Sequence, residues 1–496
     1  MQESYIAIDQ GTTSSRAIAF DRAGNPIGQA QQEFKQHYPD SGWVEHDPQD
    51  LWSTTKDTAN QVIAQAKTAG KPAKAVGITN QRETTIIWDR KTGKPIYNAI
   101  VWQDRRTVDM CRDLLKTGIE DTVAEKAGLV VDPYFSASKI AWILDHVDGA
   151  RARAEAGKLA FGTVDTFLIW HLTGGKVHAT DATNACRTSL YNLRTNQWDE
   201  DLLKIFRVPA AILPEIRDSA ADFGETDALD QKLPIRAVLG DQQAAAVGQA
   251  CFTPGSIKST YGTGCFVILN TGDRPVFSQH RLLTTVGYRV VGKTSYALEG
   301  SIFIAGAVMQ WLRDELKMIE NTAASGRMAE QSARKGDGGV YLVPAFTGLG
   351  APYWDADARG AMFGLTRNTG PADFVRAGLE SVVYQTRDLF AAMTQDGIRP
   401  TAVRVDGGMT LNNWFLQFLT DILRIEVHRP KVTETTALGV AMLAAVEIGD
   451  LSGFDDMTRL WQADRHFTPA MAASERARRL AGWDQAIART RMRLGA

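Results

Sequence analysis

The sequence predicts an α/β protein built from two related domains that face one central cleft. Three observations predict it. At 496 residues the chain is too long for one ordinary core, so at least two domains are expected. A unit of strand, polar turn and strand at residues 6–20 returns, with little residue identity, at residues 255–270. Strand after strand also ends in a cluster of polar groups, and open α/β folds gather their ligands at strand ends.

The first unit sets Asp9, Gly11, Thr12, Thr13, Ser14, Ser15 and Arg16 between two apolar runs suited to a buried sheet. Gly11 lets backbone approach a ligand closely. The hydroxyls and backbone N–H groups offer donors, and Arg16 can carry charge to a phosphate. Asp9, at the strand end, can reach a hydrated Mg²⁺ that bridges phosphates. A plain polar hairpin accounts for these residues equally well, because Gly/Thr/Ser turns are common. The unit is not a Walker A loop, since no Gly-Lys-Ser/Thr follows at the required spacing.

Composition narrows the class. Hydrophobic residues make up 44% and charged residues 23%, as in a soluble globular protein. Lys plus Arg number 55 and Asp plus Glu 57, a net charge of -2, which argues against nucleic acid or an anionic membrane as the main partner. The N-terminus runs into a strand without a basic and apolar leader, so no signal peptide is expected. The longest apolar stretch, 438–446, falls well short of the ~20 residues that span a bilayer. Cys111, Cys186, Cys251 and Cys265 lie scattered without CxxC spacing. Free thiols in a reducing cytoplasm are expected, with neither a zinc site nor a disulfide framework.

Taken in order, a helix is expected over about 48–70, with Asp47 as N-cap and Pro48 in the first turn. Residues 75–79 form a short buried strand that delivers Arg82 and Glu83, and 86–88 continue as strand. Arg82 and Glu83 read either as a solvated ion pair on a hairpin or as a donor and acceptor for a hydroxylated substrate. Residues 99–106 read as a strand ending in Trp102 and charges. Trp102 reads as core or as ligand wall, and Tyr134 as a helix-entry aromatic. Residues 161–201 alternate short strands with turns. A strand over 234–240 leads into a helix over 241–249. Asp241, at the junction, suits an N-cap and equally a carboxylate aimed into a cleft.

The first domain is placed at 1–250 and the second at 251–496. In the second, Tyr261-Gly-Thr-Gly-Cys-Phe266 forms the turn of the weak repeat. Residues 299–301 are expected to open a helix that runs through Gly306 and Gln310. Residues 339–343 read as strand, followed by a Gly/Pro-rich loop to Asp355, and 374–393 as helix. A strand at 403–406 turns at Gly407 and Gly408 and starts a helix at Asn412. That glycine pair lets a flat ring lie against the backbone, and Asn412 can bond it. Residues 436–445 form a small-residue helix that packs tightly, and 474–495 a basic amphipathic helix read as a solvated surface element.

The stretches Asp9-Gln-Gly-Thr-Thr-Ser-Ser-Arg16, Gly240-Asp-Gln-Gln243, Tyr261-Gly-Thr-Gly-Cys-Phe266 and Asp406-Gly-Gly408 occur here in the order that they have in the FGGY carbohydrate and polyol kinases, which the chain resembles. Tyr134-Phe-Ser-Ala-Ser-Lys139-Ile-Ala-Trp142 fits one signature of that family. Gly360-Ala-Met-Phe-Gly364-Leu through Glu380 fits the other, with Gly378 where a larger residue is usual. The resemblance covers nearly the whole chain. It implies ribonuclease H-like domains of the actin, Hsp70 and hexokinase type around a cleft, with ATP and Mg²⁺ as cofactors.

The stretches 42–47, 79–85, 99–103 and 348–355 resemble those of the members that phosphorylate glycerol. By that resemblance Arg82, Glu83, Tyr134, Asp241 and Gln242 hold glycerol, and Trp102 and Phe266 wall its carbon backbone. Asp241 is then the general base, and Asp9 positions Mg²⁺ through water. Thr12, Thr13, Ser14, Arg16 and Thr263 hold the phosphates. Gly306, Gln310, Gly408 and Asn412 frame the nucleotide. The implied reaction is in-line transfer of the ATP γ-phosphoryl to a terminal hydroxyl, giving sn-glycerol 3-phosphate. A kinase for another polyol or ketose, such as xylulose or ribulose, is the nearer alternative. An ATPase switch protein of the same fold is the more distant one. A homodimer or homotetramer is expected. Some bacterial proteins of this kind carry a Gly-Gly-Thr-Arg loop for an inhibitory sugar bisphosphate. The stretch Leu229-Asp-Gln-Lys-Leu-Pro234 lacks it, so inhibition there is expected to be weak or absent.

Overall fold

The computed structural model describes residues 3–333, 339–355 and 357–492. Two mixed sheets carry the architecture. In the first, Ser4–Gln10, Ser14–Asp21 and Pro26–Glu33 form an antiparallel meander, and Ala73–Asn80 and Ile235–Gly240 add in parallel beside the first strand. The second sheet repeats that order. Ser256–Tyr261, Cys265–Gly272 and Lys293–Ile302 form the meander, and Ala402–Asp406 and Val427–Pro430 the parallel additions. Leu283–Val290 and Ala463–Phe467 extend its two edges. The weak repeat in sequence is therefore a repeat of strand order, with Leu283–Val290 inserted along the chain between the second and third strands of the second unit.

The helices Asp241–Gly248 and Thr435–Glu447 cross between the sheets. A Cβ on Gly248 would stand 1.9 Å from the Thr435 carbonyl oxygen, and one on Gly439 2.0 Å from that of Ala244, so only glycine permits this approach. The helix that follows the second sheet packs Val440, Ala441 and Ala444 over the first, against Tyr5, Ala7 and Leu239. The helix that follows the first sheet reaches the second, with Ala246 against Ile268 and Ala297. The small residues of 436–445 are there for this close packing.

Four expectations change. Residues 161–201 hold the helix Val164–Leu172 and the single turn Ala182–Ala185 as well as short strands. Val164–Leu172 is buried on almost every side, so it lacks the helical polar face that separates a helix from a strand in sequence. Residues 299–301 belong to the strand Lys293–Ile302, and the helix begins at Gly306. Gly300 stands inside that strand because Leu389 fills the place of a side chain, 2.8 Å from where a Cβ would sit. Of residues 99–106 only Ala99–Ile100 are strand. The C-terminal helix, Ala473–Arg491, buries Trp483, Ala486 and Ile487 in the core of the second half, so it is docked rather than solvated. Residue 495 lies outside the described residues.

Candidate active site

Beyond Asn80 the chain turns through Gln81–Thr85 with Glu83 in the left-handed region (φ 60°), a strained conformation for a residue with a side chain. Ser136 and Thr85 hydroxyls donate to the Glu83 carbonyl at 3.0 and 3.2 Å and hold the turn. Arg82 and Glu83 are both buried as a result, and the solvated-pair reading of them falls. Gly240 makes room, since a Cβ there would stand 2.7 Å from Arg82 Cδ.

Arg82 donates from Nη1 and Nη2 to the two oxygens of Glu299, at 2.7 and 2.9 Å. Nη1 also reaches Gln243 Oε1 at 3.1 Å, and Nε lies 3.3 Å from Asp241 Oδ1. Arg187 donates from Nε to Glu83 at 2.6 Å and from Nη2 to Glu299 at 3.2 Å. The result is a buried ring of four alternating charges. Burial opposes every one of them, so the ring holds only because each charge is paired. Burial pushes Glu299 up, but Arg187 and Arg82 hold it down at about 2. Burial leaves Glu83 above its ordinary value in spite of Arg82 and Arg187.

Asp241 opens the helix Asp241–Gly248 and keeps 33% of its side chain exposed. Burial raises its pKa against the pull of Arg82 and Lys258, which favours a proton acceptor. Beside it, Gln242 accepts a hydrogen bond from the buried Lys258 Nζ. Trp102 packs edge-on to Tyr134 and Phe266, with ring centroids at 5.7 and 6.3 Å. Of the predicted acceptor residues, Arg82 joins Glu83 and Asp241 by ion pairing and reaches the Tyr134 hydroxyl at 3.5 Å, and Trp102 links Tyr134 to Phe266. Trp102 Nε1 donates to Thr12 Oγ1 at 3.0 Å, which ties these rings to the first hairpin.

On the first hairpin Asp9 and Arg16 are cross-strand partners, 2.7 Å apart. Arg16 also pairs with Glu434 from the second half. Thr13 is exposed at the turn, and Ser14 Oγ accepts from Gln31 at 2.9 Å. Thr263 is exposed at the tip of the second hairpin. The helix Gly306–Asp314 seats on that hairpin, the Gly306 N–H donating to the Gly262 carbonyl at 2.8 Å. A Cβ at Gly306 would lie 2.6 Å from the same oxygen. Gly407 has φ 91° and presses on Tyr261, where a Cβ would stand 2.5 Å from the carbonyl oxygen. Gly408 next to it faces open space. Asn412 caps the helix Asn413–Leu423 through Phe415 N–H at 3.2 Å and donates to Ser325 Oγ at 3.3 Å. Gln310 is exposed on its helix.

Burial raises the pKa of Asp9 despite Arg16, and Arg16 engages only one of its oxygens. Among the described residues no cluster of three or more His, Cys, Asp or Glu side chains could hold a metal ion. A single cleft carboxylate fits Mg²⁺, which keeps its waters and leans on substrate phosphates rather than on a protein cage.

Sequence reasoning missed Glu299, Arg187, Lys258 and Glu434. Glu299 alone carried a signal: a carboxylate between Leu298 and Gly300 inside an apolar run.

The N-terminal domain of the FGGY family of carbohydrate kinases matches residues 4–248, and its C-terminal domain matches 257–448. The chain belongs to the FGGY family of carbohydrate kinases. Within that family it is similar to a glycerol kinase of Rhodospirillum centenum, 59% identical over 98% of each chain. Glycerol kinase 1 of Pseudomonas aeruginosa is 57% identical over 99% of each chain. Among solved structures, Plasmodium falciparum glycerol kinase with ADP superposes with a TM-score of 0.94 at 37% identity, covering 99% of both chains. A gluconate kinase from Lactobacillus acidophilus shares the fold, with a TM-score of 0.88 at 21% identity.

Proposed function

We propose that the protein transfers the γ-phosphoryl group of ATP to a terminal hydroxyl of glycerol, giving sn-glycerol 3-phosphate. The acceptor pocket carries this reading. Arg82, Glu83, Asp241 and Gln242 meet an aromatic wall of Trp102, Tyr134 and Phe266, a floor of donors and acceptors with one apolar face. A small triol needs that combination. Relatives named glycerol kinase at 57–59% identity support the same acceptor.

Arg82 and Gln242 orient the hydroxyls, and Trp102 and Phe266 cover the carbons. Asp241 accepts the proton of the attacking hydroxyl. A carboxylate with an ordinary pKa of ~3.9 is a weak base for an alcohol. It suffices where transfer runs through a loose transition state, because the proton leaves late and alignment does most of the work. Arg16, Thr12, Thr13 and Thr263 hold the phosphates, and the exposed face of Gly408 beside Asn412 receives the nucleotide. Asp9 would hold Mg²⁺ through water, and the ion would offset phosphate charge. The reading includes the cytoplasm, which four unpaired buried cysteines support. It also includes a homodimer or homotetramer, which light scattering checks.

The test is ADP release from Mg-ATP with glycerol, xylulose, ribulose, erythritol or no acceptor. Turnover with glycerol alone is expected. Turnover with another acceptor overturns the glycerol assignment, and equal turnover without an acceptor points to an ATPase switch.

A further inference from the structure

We propose that Glu299 is a positioning residue of the acceptor site, delivered from the second sheet to aim Arg82. The inference rests on the glycerol reading above. Arg82 and Asp241 stand on the first half of the chain, at the ends of the strands Ala73–Asn80 and Ile235–Gly240. Glu299 stands on Lys293–Ile302, where Ser301 pairs with Phe266 in the neighbouring strand. One strand thus carries both the grip on Arg82 and the support of the acceptor wall.

The grip is a fork. Glu299 takes one N–H from each terminal nitrogen of Arg82, at 2.7 and 2.9 Å, with both side chains almost fully buried. An arginine has five N–H donors in a fixed plane. Gln243 takes a third, and the Tyr134 hydroxyl at 3.5 Å is at the limit of contact with a fourth. The Nε edge is left facing Asp241 at 3.3 Å. Glu299 therefore decides that Arg82 meets Asp241 with one edge only. Released from Glu299, the guanidinium can turn and take the Asp241 carboxylate with two donors, which ties up the proton acceptor. Arg187 completes the arrangement by sharing Glu299 Oε1 and holding Glu83, so the four charges stay balanced.

The full chain is purified as wild type, Glu299→Gln and Glu299→Asp. Glycerol kcat and KM are measured, together with ADP affinity by calorimetry. Misaiming a catalytic group by about 1 Å costs about 100-fold, so kcat/KM for glycerol should fall by about that factor in E299Q, with ADP affinity changed less than about twofold. E299D keeps the charge one methylene short and should recover part of the loss. A purely structural role predicts that ADP affinity falls along with glycerol turnover, and that result overturns the proposal. Removing one charge from a buried set can prevent folding. In that event E299D decides, and a wild-type kcat/KM for glycerol in E299D overturns the proposal. Wild type that does not use glycerol at all overturns the functional reading instead, and Glu299 is then scored with the polyol that wild type does use.

Discussion

On the first hairpin, the position opposite Asp9 is Arg16; on the second, the position opposite Thr260 is Phe266. Counted from each turn glycine, Gly11 and Gly262, Asp9 and Thr260 occupy the same place in the repeated strand order. Arg16 pairs with Asp9 and with Glu434 of the other half, and Phe266 packs edge-on to Trp102; in the proposed function the first serves the phosphates and the second the acceptor. Thr260 hydrogen-bonds Asp406, so the carboxylate of the second half is drawn back into the protein rather than into the cleft. Thr435 and Gln249 bind its other oxygen, at 2.6 and 3.0 Å. The same scaffold position thus does charge work in one half and packing work in the other. This is why the repeat is plain in topology and nearly invisible in residue identity.

Asp241 is the proposed proton acceptor, and Asp241→Asn should have the largest effect. Loss of a general base costs about 10²–10⁴ in rate, so turnover should fall by about that factor while glycerol binding, followed by calorimetry, is largely kept. Near-normal turnover would remove Asp241 from the base role. Next come the two cross-strand positions. Arg16→Gln loses a charge-assisted contact worth about 1.5–3 kcal/mol, so the KM for ATP should rise about tenfold to a hundredfold with little change for glycerol. Phe266→Ala should do the reverse, raising the KM for glycerol about tenfold through lost apolar contact. If both variants shift the same substrate, the division of labour between the hairpins is wrong. Gly306→Ala forces the helix off the second hairpin. An overpacked contact costs about 1–3 kcal/mol, so a lower melting temperature and a moderately raised KM for ATP are expected. An unchanged ATP response would mean that the backbone of the second hairpin is not a nucleotide contact.

The smallest effect is a pH dependence. Glu299 is held in the folded state at about 2, below its ordinary 4.5. Its pairing therefore contributes stability that is full above about pH 4.5 and is lost as the pH falls toward about 2. Wild type should lose thermal stability more steeply than Glu299→Gln across that window. Parallel acid unfolding curves would show that the pairing does not hold the carboxylate down.

What could be read in the chain was local. Asp9 to Arg16, Asp241 at its strand end and the Gly407-Gly408 turn each sit in a few consecutive residues whose types announce their geometry. Arg82 and Glu83 were legible as residues but not as a buried pair. What buries and balances them is Glu299, 217 positions from Arg82, and Arg187, 104 positions from Glu83. The local pattern around Glu299 marks a carboxylate in an apolar run, but nothing local says which arginine it meets. Glu299 stands in a strand where the sequence reads as a helix start, and the side chain that fills the space beside Gly300, Leu389, lies far along the chain. The helix Val164–Leu172 was hidden by its own burial, since a segment apolar on all sides has no period to read.

Where Gly248 and Gly439 let the two central helices touch, backbone meets backbone with no side chains between them to slide or repack. Such a contact fixes the spacing of the two helices, because neither backbone carries a side chain there that could adjust. Asp241 lies about 10 Å along its helix from Gly248, at ~1.5 Å per residue. The carboxylate proposed to take the proton therefore stands on a helix whose far end is locked against the other half of the chain.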